Sequence, residues 1–227
     1  MILSAHQPAY LPWLGYFDKI IRSDIFIFLD TVQYEKNSYI NRNRIKTPQG
    51  STWLTIPIKS KGHIQSTLLE TKIDNSKNWT KNHLKNIYFN YKKAPRFDEC
   101  YQKLESLYQH SYDSISELCY NHLLFWLKEF DINTKILRSS DLSLTSKKSD
   151  LILDLCQLFH ADHYISGALG KKYLIENDFQ KKGIAIDYQN YRHPCYPQLH
   201  GEFLPAMSIV DFWMNTDNTA LITGASS

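Results

Sequence analysis

The chain has 227 residues, 43% of them hydrophobic and 14% aromatic, enough for a folded domain with a buried core. A formal net charge of +3 excludes a global field that would drive bulk binding to nucleic acid or membranes. The four cysteines form no C-x-x-C pair, and no signal peptide or long apolar segment is recognisable. We therefore expect reduced thiols, no membrane insertion and a cytoplasmic location.

The opening segment from Ile2 to Asp30 predicts a strand, a helix and a second strand. Residues 1–5 and 24–29 are apolar runs typical of buried strands, and the apolar residues between them fall on one stripe of a helix. A parallel connection would bring His6 and Asp30 to the carboxyl ends of two strands, where open α/β sheets usually bind ligands. We expect His6 to act as a general base that Asp30 orients. The alternative is that His6 caps a turn and Asp30 begins one.

Three aromatic residues lie in the loop that follows His6. Tyr10, Trp13 and Tyr16 are interpreted either as rings that stack on a base or sugar, or as part of the hydrophobic core. The same loop carries Gln7 and two prolines that fix its backbone. The loop is therefore a candidate ligand-binding surface.

A polar and basic stretch follows Asp30 and has little periodicity, which is typical of a functional loop. Within it, Arg42, Arg44 and Lys46 alternate with other residues and would lie on one side of an extended chain. Guanidinium groups match phosphate oxygens, so these side chains are expected to bind a diphosphate, a cofactor phosphate or an RNA backbone. The alternative is a solvated edge strand whose charges resist aggregation.

The middle of the chain is predicted to be helical, with one helix that ends near Ala94 and two more between residues 97 and 130. An alternation of strand and helix then resumes, and residues 216–227 are expected to be a loose end. We predict a single α/β domain over residues 1–227, with a mainly parallel, Rossmann-like sheet and a helical insertion at about 75–131. The later strands are expected near 133–137, 162–167 and 183–188, and the later helices near 149–159, 170–179 and 205–215.

The segment 166–172, with the sequence SGALGKK, runs from a predicted strand into a predicted helix, whose free amide groups could hold an anion. It is not a Walker A loop, because the spacing is too short and no Ser or Thr follows the lysines. Ser166 and Gly167 are therefore candidates for binding. Two glycines at such a turn are also what the backbone geometry requires.

The segment 191–203 is rich in proline and polar residues and is expected to return to the same edge of the sheet. It contributes His193 and Gln198 as binding candidates. We expect no metal site, since no short His or Cys pair is present to anchor one. Nothing in the sequence marks Cys195 as a nucleophile.

Several of these segments together resemble one protein family. HQPAYLPWLGYF at 6–17, DTVQY at 30–34 and NRNRIK at 41–46 look like the WbqC-like family, as do YISG at 164–167 and HPCYPQ at 193–198. The resemblance covers nearly the whole chain. This family is associated with bacterial surface polysaccharide gene clusters such as O-antigen loci, so the resemblance implies action on an activated sugar.

The resemblance and the residues together favour a transferase that passes an acyl or aminoacyl group to the amine of a nucleotide-linked amino sugar. Its donor is expected to be an activated acyl group or a charged tRNA. His6 and Asp30 are the expected catalytic residues. The alternatives are a nucleotidyltransferase of the same pathway and a noncatalytic module that binds sugar or RNA. The expected binding residues are Gln7, Tyr10, Trp13, Gln33, Tyr34, Asn41, Arg42, Arg44, Lys46, Ser166, Gly167, His193 and Gln198.

Overall fold

A computed structural model of the chain describes residues 1–59 and 66–224. Its strands are β1 (Ile2–His6), β2 (Ile25–Phe28), β3 (Arg42–Thr47), β4 (Gly50–Thr55), β5 (Lys135–Arg138), β6 (His163–Ser166) and β7 (Ala185–Tyr188). Five of these strands form a parallel sheet in the order β5-β2-β1-β6-β7, and β3 pairs with β4 as an antiparallel hairpin. The predicted α/β class, with a mainly parallel Rossmann-like sheet, is confirmed.

The helices alternate with the sheet strands at both ends of the chain and follow one another in its middle. They are α1 (Leu14–Ile21), α2 (Trp79–Tyr91), α3 (Phe97–Tyr108), α4 (Ile115–Glu129), α5 (Lys148–Leu158), α6 (Glu176–Lys181) and α7 (Ile209–Asn215). The helices α2, α3 and α4 occupy the stretch predicted to be helical. Within the described residues, no helix is long and apolar enough to cross a membrane.

The central strands of the sheet, β2, β1 and β6, are buried on both faces. Along β2, Ile25 and Ile27 join a cluster that includes residues of α5, whereas Phe26 and Phe28 join a larger cluster with α1 and the middle helices. Because successive side chains of a strand point to opposite faces, this four-residue apolar run fills two cores. Hydrophobic burial on both faces therefore fixes the position of β2, which is followed by the candidate residue Asp30.

The helix expected at 170–179 is absent as such. A 3₁₀ turn covers Ala168–Lys172, and α6 begins only at Glu176. Gly170 lies directly against the Ser166 side chain, since a Cβ atom at this glycine would stand 1.8 Å from Ser166 Oγ. This close approach holds the chain in a tight turn over the end of β6 before a helix can start.

The carboxyl-terminal segment is ordered against α1 up to the last described residue, although the sequence predicts a loose end. Thr219–Thr223 forms a 3₁₀ turn with Ile222 buried, and Tyr191 Oη donates a hydrogen bond to the Ile222 carbonyl at 2.9 Å. The apolar Leu221 and Ile222 supply the reason, since they pack on the main core. Residues 225–227 of the predicted loose end lie outside the described part of the chain.

Candidate functional site

His6 ends β1 with its side chain half-buried at the carboxyl edge of the sheet. Its Nδ1 lies 2.8 Å from the Gln7 carbonyl oxygen. Because a carbonyl only accepts, Nδ1 carries the proton of the neutral ring and Nε2 keeps its lone pair. Burial, helped by the positive charge of Lys19, lowers the pKa of His6 to about 3. His6 is therefore a neutral imidazole at neutral pH.

The expected pair of His6 and Asp30 is not formed. Among the described residues, no hydrogen bond joins the two side chains, and the Gln7 carbonyl holds the imidazole instead. Asp30 is fully buried and its two carboxylate oxygens accept hydrogen bonds from other groups. These donors are Arg138 Nε at 2.8 Å, Ser139 Oγ at 2.9 Å, and the amide and hydroxyl of Ser140, each at 2.9 Å. Asp30 is thus the centre of an ion-pair network at the ends of β2 and β5.

A series of aromatic contacts leads from His6 towards the hairpin. The His6 ring lies 5.7 Å from Trp13, Trp13 lies 5.3 Å from Tyr39, and Tyr39 lies 5.7 Å from Trp53, measured between ring centroids. Tyr39 and Trp53 are both exposed, Trp53 to 43%. We call these four residues the ring row. Exposed aromatic rings in series offer stacking surface to a base or sugar.

Two arginines continue the ring row at its hairpin end. The guanidinium carbon of Arg42 lies 4.3 Å from the Trp53 ring centroid, and that of Arg44 lies 5.6 Å from it. Both Nε atoms are buried and have no hydrogen-bond partner within the described chain. A buried donor without an acceptor is costly, so both arginines are suited to a ligand that brings acceptor oxygens.

The hairpin places these arginines by strand alternation. In β3, Asn43 and Ile45 point inward, and Asn43 Nδ2 donates to the Leu11 carbonyl at 2.6 Å. Arg42 and Arg44 therefore share the other face, where Arg44 stands directly across from Trp53 of β4. The polar stretch predicted as a functional loop is thus partly a strand, and its pairing fixes the two guanidinium groups.

Lys46 departs from the prediction. Alternation puts it on the same side of β3 as the arginines, but the side chain is almost fully buried. Its Nζ donates to the carbonyl of Glu202 at 2.5 Å and to that of Gly201 at 3.4 Å. The segment 191–203, which we call the return loop, thus covers this lysine. Lys46 holds the return loop on the hairpin and does not present its charge to a phosphate.

Three other predicted binding residues are part of the interior. Tyr10 is fully buried, and its hydroxyl contacts His83 Nδ1 at 2.8 Å and the Tyr108 hydroxyl. The Tyr34 hydroxyl donates to Asn41 Oδ1 at 3.2 Å, so these two side chains hold each other. Their roles are structural because their polar atoms already have partners in the protein.

The return loop and the turn after β6 also use their polar groups internally. Ser166 is buried and its hydroxyl donates to the Gly167 carbonyl at 3.0 Å. Ser166 and Gly167 therefore do not form part of an anion-binding helix N-terminus. Gln198 Nε2 donates to Asp211 Oδ2 at 2.7 Å. His193 is half-buried with its ring edge-on to Tyr191 at 4.9 Å, and burial lowers its pKa.

Of the predicted residues, Trp13, Arg42 and Arg44 therefore lie on one surface with His6. Gln7 belongs to that surface through its carbonyl, which orients the imidazole. The remaining predicted residue, Gln33, is exposed and bridges to Thr67 through its backbone. Two open clefts of about 420 and 470 Å³ lie elsewhere, around residues 131–134 near the start of β5. Their position separates them from the ring row.

The chain matches the WbqC-like protein family over residues 7–222. The chain belongs to this family. It is also 38% identical over 213 residues to "Uncharacterized protein Rv1507c" of Mycobacterium tuberculosis (strain ATCC 25618 / H37Rv), and the match covers 92% of this chain and 91% of that relative. No solved structure matches the chain. The matched range contains the whole ring row except His6, which immediately precedes it.

Three residues at this site are not among those predicted from the sequence. Tyr39 and Trp53 are the exposed members of the ring row, and their spacing in sequence gives no sign that they meet. Lys19 is buried on α1, where its Nζ donates to the Ala5 carbonyl at 2.9 Å, and burial lowers its pKa to about 7. Asp18 and Lys19 are the charged residues of α1, whose other residues are apolar, aromatic or glycine, and this pair was the available signal for the buried amine.

Two buried histidines in the middle helices lead us to predict that the protein loses stability at acid pH. Burial lowers the pKa of His83 to about 4 and that of His122 to about 3, whereas an unfolded histidine titrates near 6.5. The unfolded state therefore binds more protons between pH 6.5 and 4, and stability is lost as the pH falls. We expect these two groups to contribute about 2.7 kcal/mol of lost unfolding free energy per pH unit.

Urea unfolding at several pH values, compared with a His122→Phe variant, measures this effect. The variant is expected to lower the slope by about 1.4 kcal/mol per pH unit, because the proton that His122 takes up on unfolding is lost, while the contributions of His83 and His6 are the same in both proteins. It also removes a buried Nδ1 that has no described partner. The control is His110→Phe at an exposed position, which should keep the wild-type slope. Equal slopes for His122→Phe and the wild type would contradict the prediction.

Proposed function

We propose that this WbqC-like protein is a transferase of bacterial surface polysaccharide biosynthesis that passes an acyl or aminoacyl group to the amine of a nucleotide-linked amino sugar. The observation that carries the proposal is the ring row, which ends on the guanidinium groups of Arg42 and Arg44, whose buried Nε atoms have no partner within the described chain. The pathway is inferred from the resemblance to proteins encoded in polysaccharide gene clusters. The class of ligand is inferred from the side chains of the site.

The length of the ring row favours an elongated ligand. Three aromatic rings separate the imidazole of His6 from the two arginines, so a free phosphate on the arginines does not reach His6. A nucleotide-linked sugar has the required parts in one molecule. Its diphosphate pairs with Arg42 and Arg44, its base stacks on an exposed ring, and its sugar extends towards His6.

His6 is proposed to act through its Nε2 atom. In the transfer, the sugar amine attacks the donor carbonyl, the new N–C bond forms, and the bond from that carbonyl to the leaving sulfur or oxygen breaks. The amine proton moves to Nε2 and then to the leaving group. Burial that lowers the pKa of His6 to about 3 makes Nε2 a weak base, so the proton moves to it only as the N–C bond forms and the amine nitrogen becomes acidic. The Gln7 carbonyl, rather than Asp30, keeps the ring in the tautomer this needs.

The proposal is tested by incubating the purified protein with nucleoside diphosphate-linked amino sugars and either acyl thioesters or charged tRNA. We expect the mass of the sugar nucleotide to rise by that of the transferred acyl or aminoacyl group. His6→Ala is expected to lower kcat by roughly a hundredfold or more with little change in KM, because proton transfer and not binding is lost. The exposed His110→Ala variant is the matched control.

One observation favours a second candidate, a noncatalytic module that binds the same ligand. The predicted catalytic pair is absent, and the pKa of His6 lies well below neutrality. If the protein binds the sugar nucleotide with steep salt dependence but forms no product with any donor, the noncatalytic binding function is favoured over the transferase. Magnesium-dependent release of pyrophosphate from a nucleoside triphosphate would instead indicate nucleotidyl transfer.

A further inference from the structure

The helix α2 has two contrasting faces. Trp79, His83, Ile87 and Tyr91 recur every four residues and are buried against the core. At 100° per residue, the opposite side of the helix carries a set of exposed residues that lie within about 100° of arc and extend along about 16 Å. We call this set the α2 stripe, and it consists of Lys81, Lys85, Tyr88, Phe89 and Lys92.

The α2 stripe is positively charged. Residues 77–93 contain five lysines and no acidic residue. Within the described part of the chain, Lys81, Lys85, Lys92 and Lys93 form no ion pair. The nearest acidic residues in sequence are Asp74, which pairs with Lys77, and Asp98 and Glu99 at the start of α3; Glu99 is held by Arg96 and Lys103. The charge of this surface is therefore largely uncompensated.

Two aromatic rings stand among these lysines. Tyr88 is 41% exposed and Phe89 is 59% exposed, although the molecule buries most of its other aromatic residues. The Tyr88 ring lies edge-on to Phe97 and Tyr101, each at 5.5 Å, so packing from α3 supports it on the surface. The Lys92 ammonium lies 5.9 Å from the Tyr88 ring centroid and 5.8 Å from that of Phe89. Neighbouring charge and aromatic surface are thus combined on one helix face.

We propose that the α2 stripe docks this protein reversibly on an anionic lipid bilayer. Lysines near such a surface are attracted by its negative potential, and exposed aromatic rings enter the headgroup boundary. The helix presents a single outward line of charges, which suits a planar partner. The binding is peripheral, because no described helix could span a membrane. This inference does not depend on the proposed reaction.

The side chains present favour a bilayer over RNA as the occupant. All of the cations on the stripe are lysines, which act as point charges, whereas bidentate recognition of individual phosphates is typical of arginine. Two of the amide groups on α2 that could read bases are turned onto the helix itself. Asn86 Nδ2 donates to the Asn82 carbonyl and Asn90 Nδ2 to the Asn86 carbonyl, each at 2.8 Å. The stripe therefore offers charge and apolar surface but few free directional donors.

Flotation with lipid vesicles tests the proposal. The full chain is mixed with phosphatidylcholine vesicles that either contain or lack phosphatidylglycerol, and the bound fraction is measured at low and high salt. We expect binding only to the anionic vesicles, with weaker binding at high salt. The variant K81E/K85E/K92E is expected to lower the partition coefficient at least a hundredfold, since each lysine contributes about fivefold. Phe89→Ser should weaken binding without changing the salt dependence.

The matched control is K135E/K147E/K182E, which changes the net charge by the same amount at exposed lysines elsewhere. It should retain nearly full binding, and circular dichroism should show that both triple variants are folded. Equal binding to neutral and anionic vesicles, or equal loss in the two triple variants, would overturn the proposal. Failure to bind vesicles, together with single-stranded RNA binding that K81E/K85E/K92E abolishes, would assign the stripe to nucleic acid and also overturn it.

Discussion

Replacement of Asp30 by alanine is expected to lower the free energy of unfolding by about 4 kcal/mol, because it leaves the Arg138 guanidinium without its buried partner. Arg138 is 15% exposed and lies 4.9 Å over the Tyr120 ring, so water compensates it poorly. The substitution also removes the acceptor for Ser139 and Ser140. Equilibrium urea unfolding of the wild type and the variant measures the difference.

Glu117→Ala is the matched control for this experiment. Glu117 pairs with the same guanidinium at 2.6 Å but is 43% exposed, so its loss is expected to cost about 0.5 kcal/mol. Asp30 and Glu117 thus share the guanidinium of Arg138 but differ in burial and in the hydrogen bonds that Asp30 also accepts from Ser139 and Ser140. A stable Asp30→Ala variant that has lost turnover would restore Asp30 as a catalytic residue and contradict the structural role assigned to it.

The double variant R42A/R44A is expected to weaken binding of a nucleoside diphosphate sugar by roughly a thousandfold. Each charge-assisted contact to a phosphate contributes about 2 kcal/mol, and about 1.4 kcal/mol corresponds to a factor of ten in affinity. Both guanidinium groups have a buried Nε without a described partner, and among the described side-chain hydrogen bonds their removal costs the protein only that from Arg42 Nη2 to the carbonyl of the exposed Asn37. Isothermal titration calorimetry at several salt concentrations gives the affinity and its salt dependence.

The control for this prediction is K147A/K148A, which removes two charges from exposed residues at the start of α5. It should bind the sugar nucleotide as the wild type does. A folded R42A/R44A protein that keeps wild-type affinity would show that the ligand lies elsewhere. Trp53→Ala separates the parts of the site, since it removes stacking surface while both arginines remain.

Hydrophobic pattern alone was enough to predict the sheet. The run at β2 and the repeated strand and helix segments after residue 133 carry local signals, since burial on both faces requires continuous apolar strands. The position of His6 at the carboxyl end of β1 follows from the same pattern. Local sequence therefore determines which edge of the sheet holds this imidazole.

The partners of the site residues could not be predicted in the same way. Asp30 binds Arg138, which lies 108 positions away, and no local pattern selects it over His6. Alternation correctly groups Arg42 with Arg44, but it cannot show that residues 201 and 202 cover Lys46. Contacts between distant segments determine which polar groups face a ligand and which are hydrogen-bonded within the protein.

The strand order has a consequence for synthesis of the chain. β1 leaves the ribosome before the other described strands, yet it lies in the middle of the sheet between β2 and β6. Its β2 edge can pair at once, whereas its other edge waits for His163–Ser166. Until then a buried strand of the finished protein has an open edge, which is a template for pairing with other chains. Closure of that edge comes late, after all three middle helices have been made.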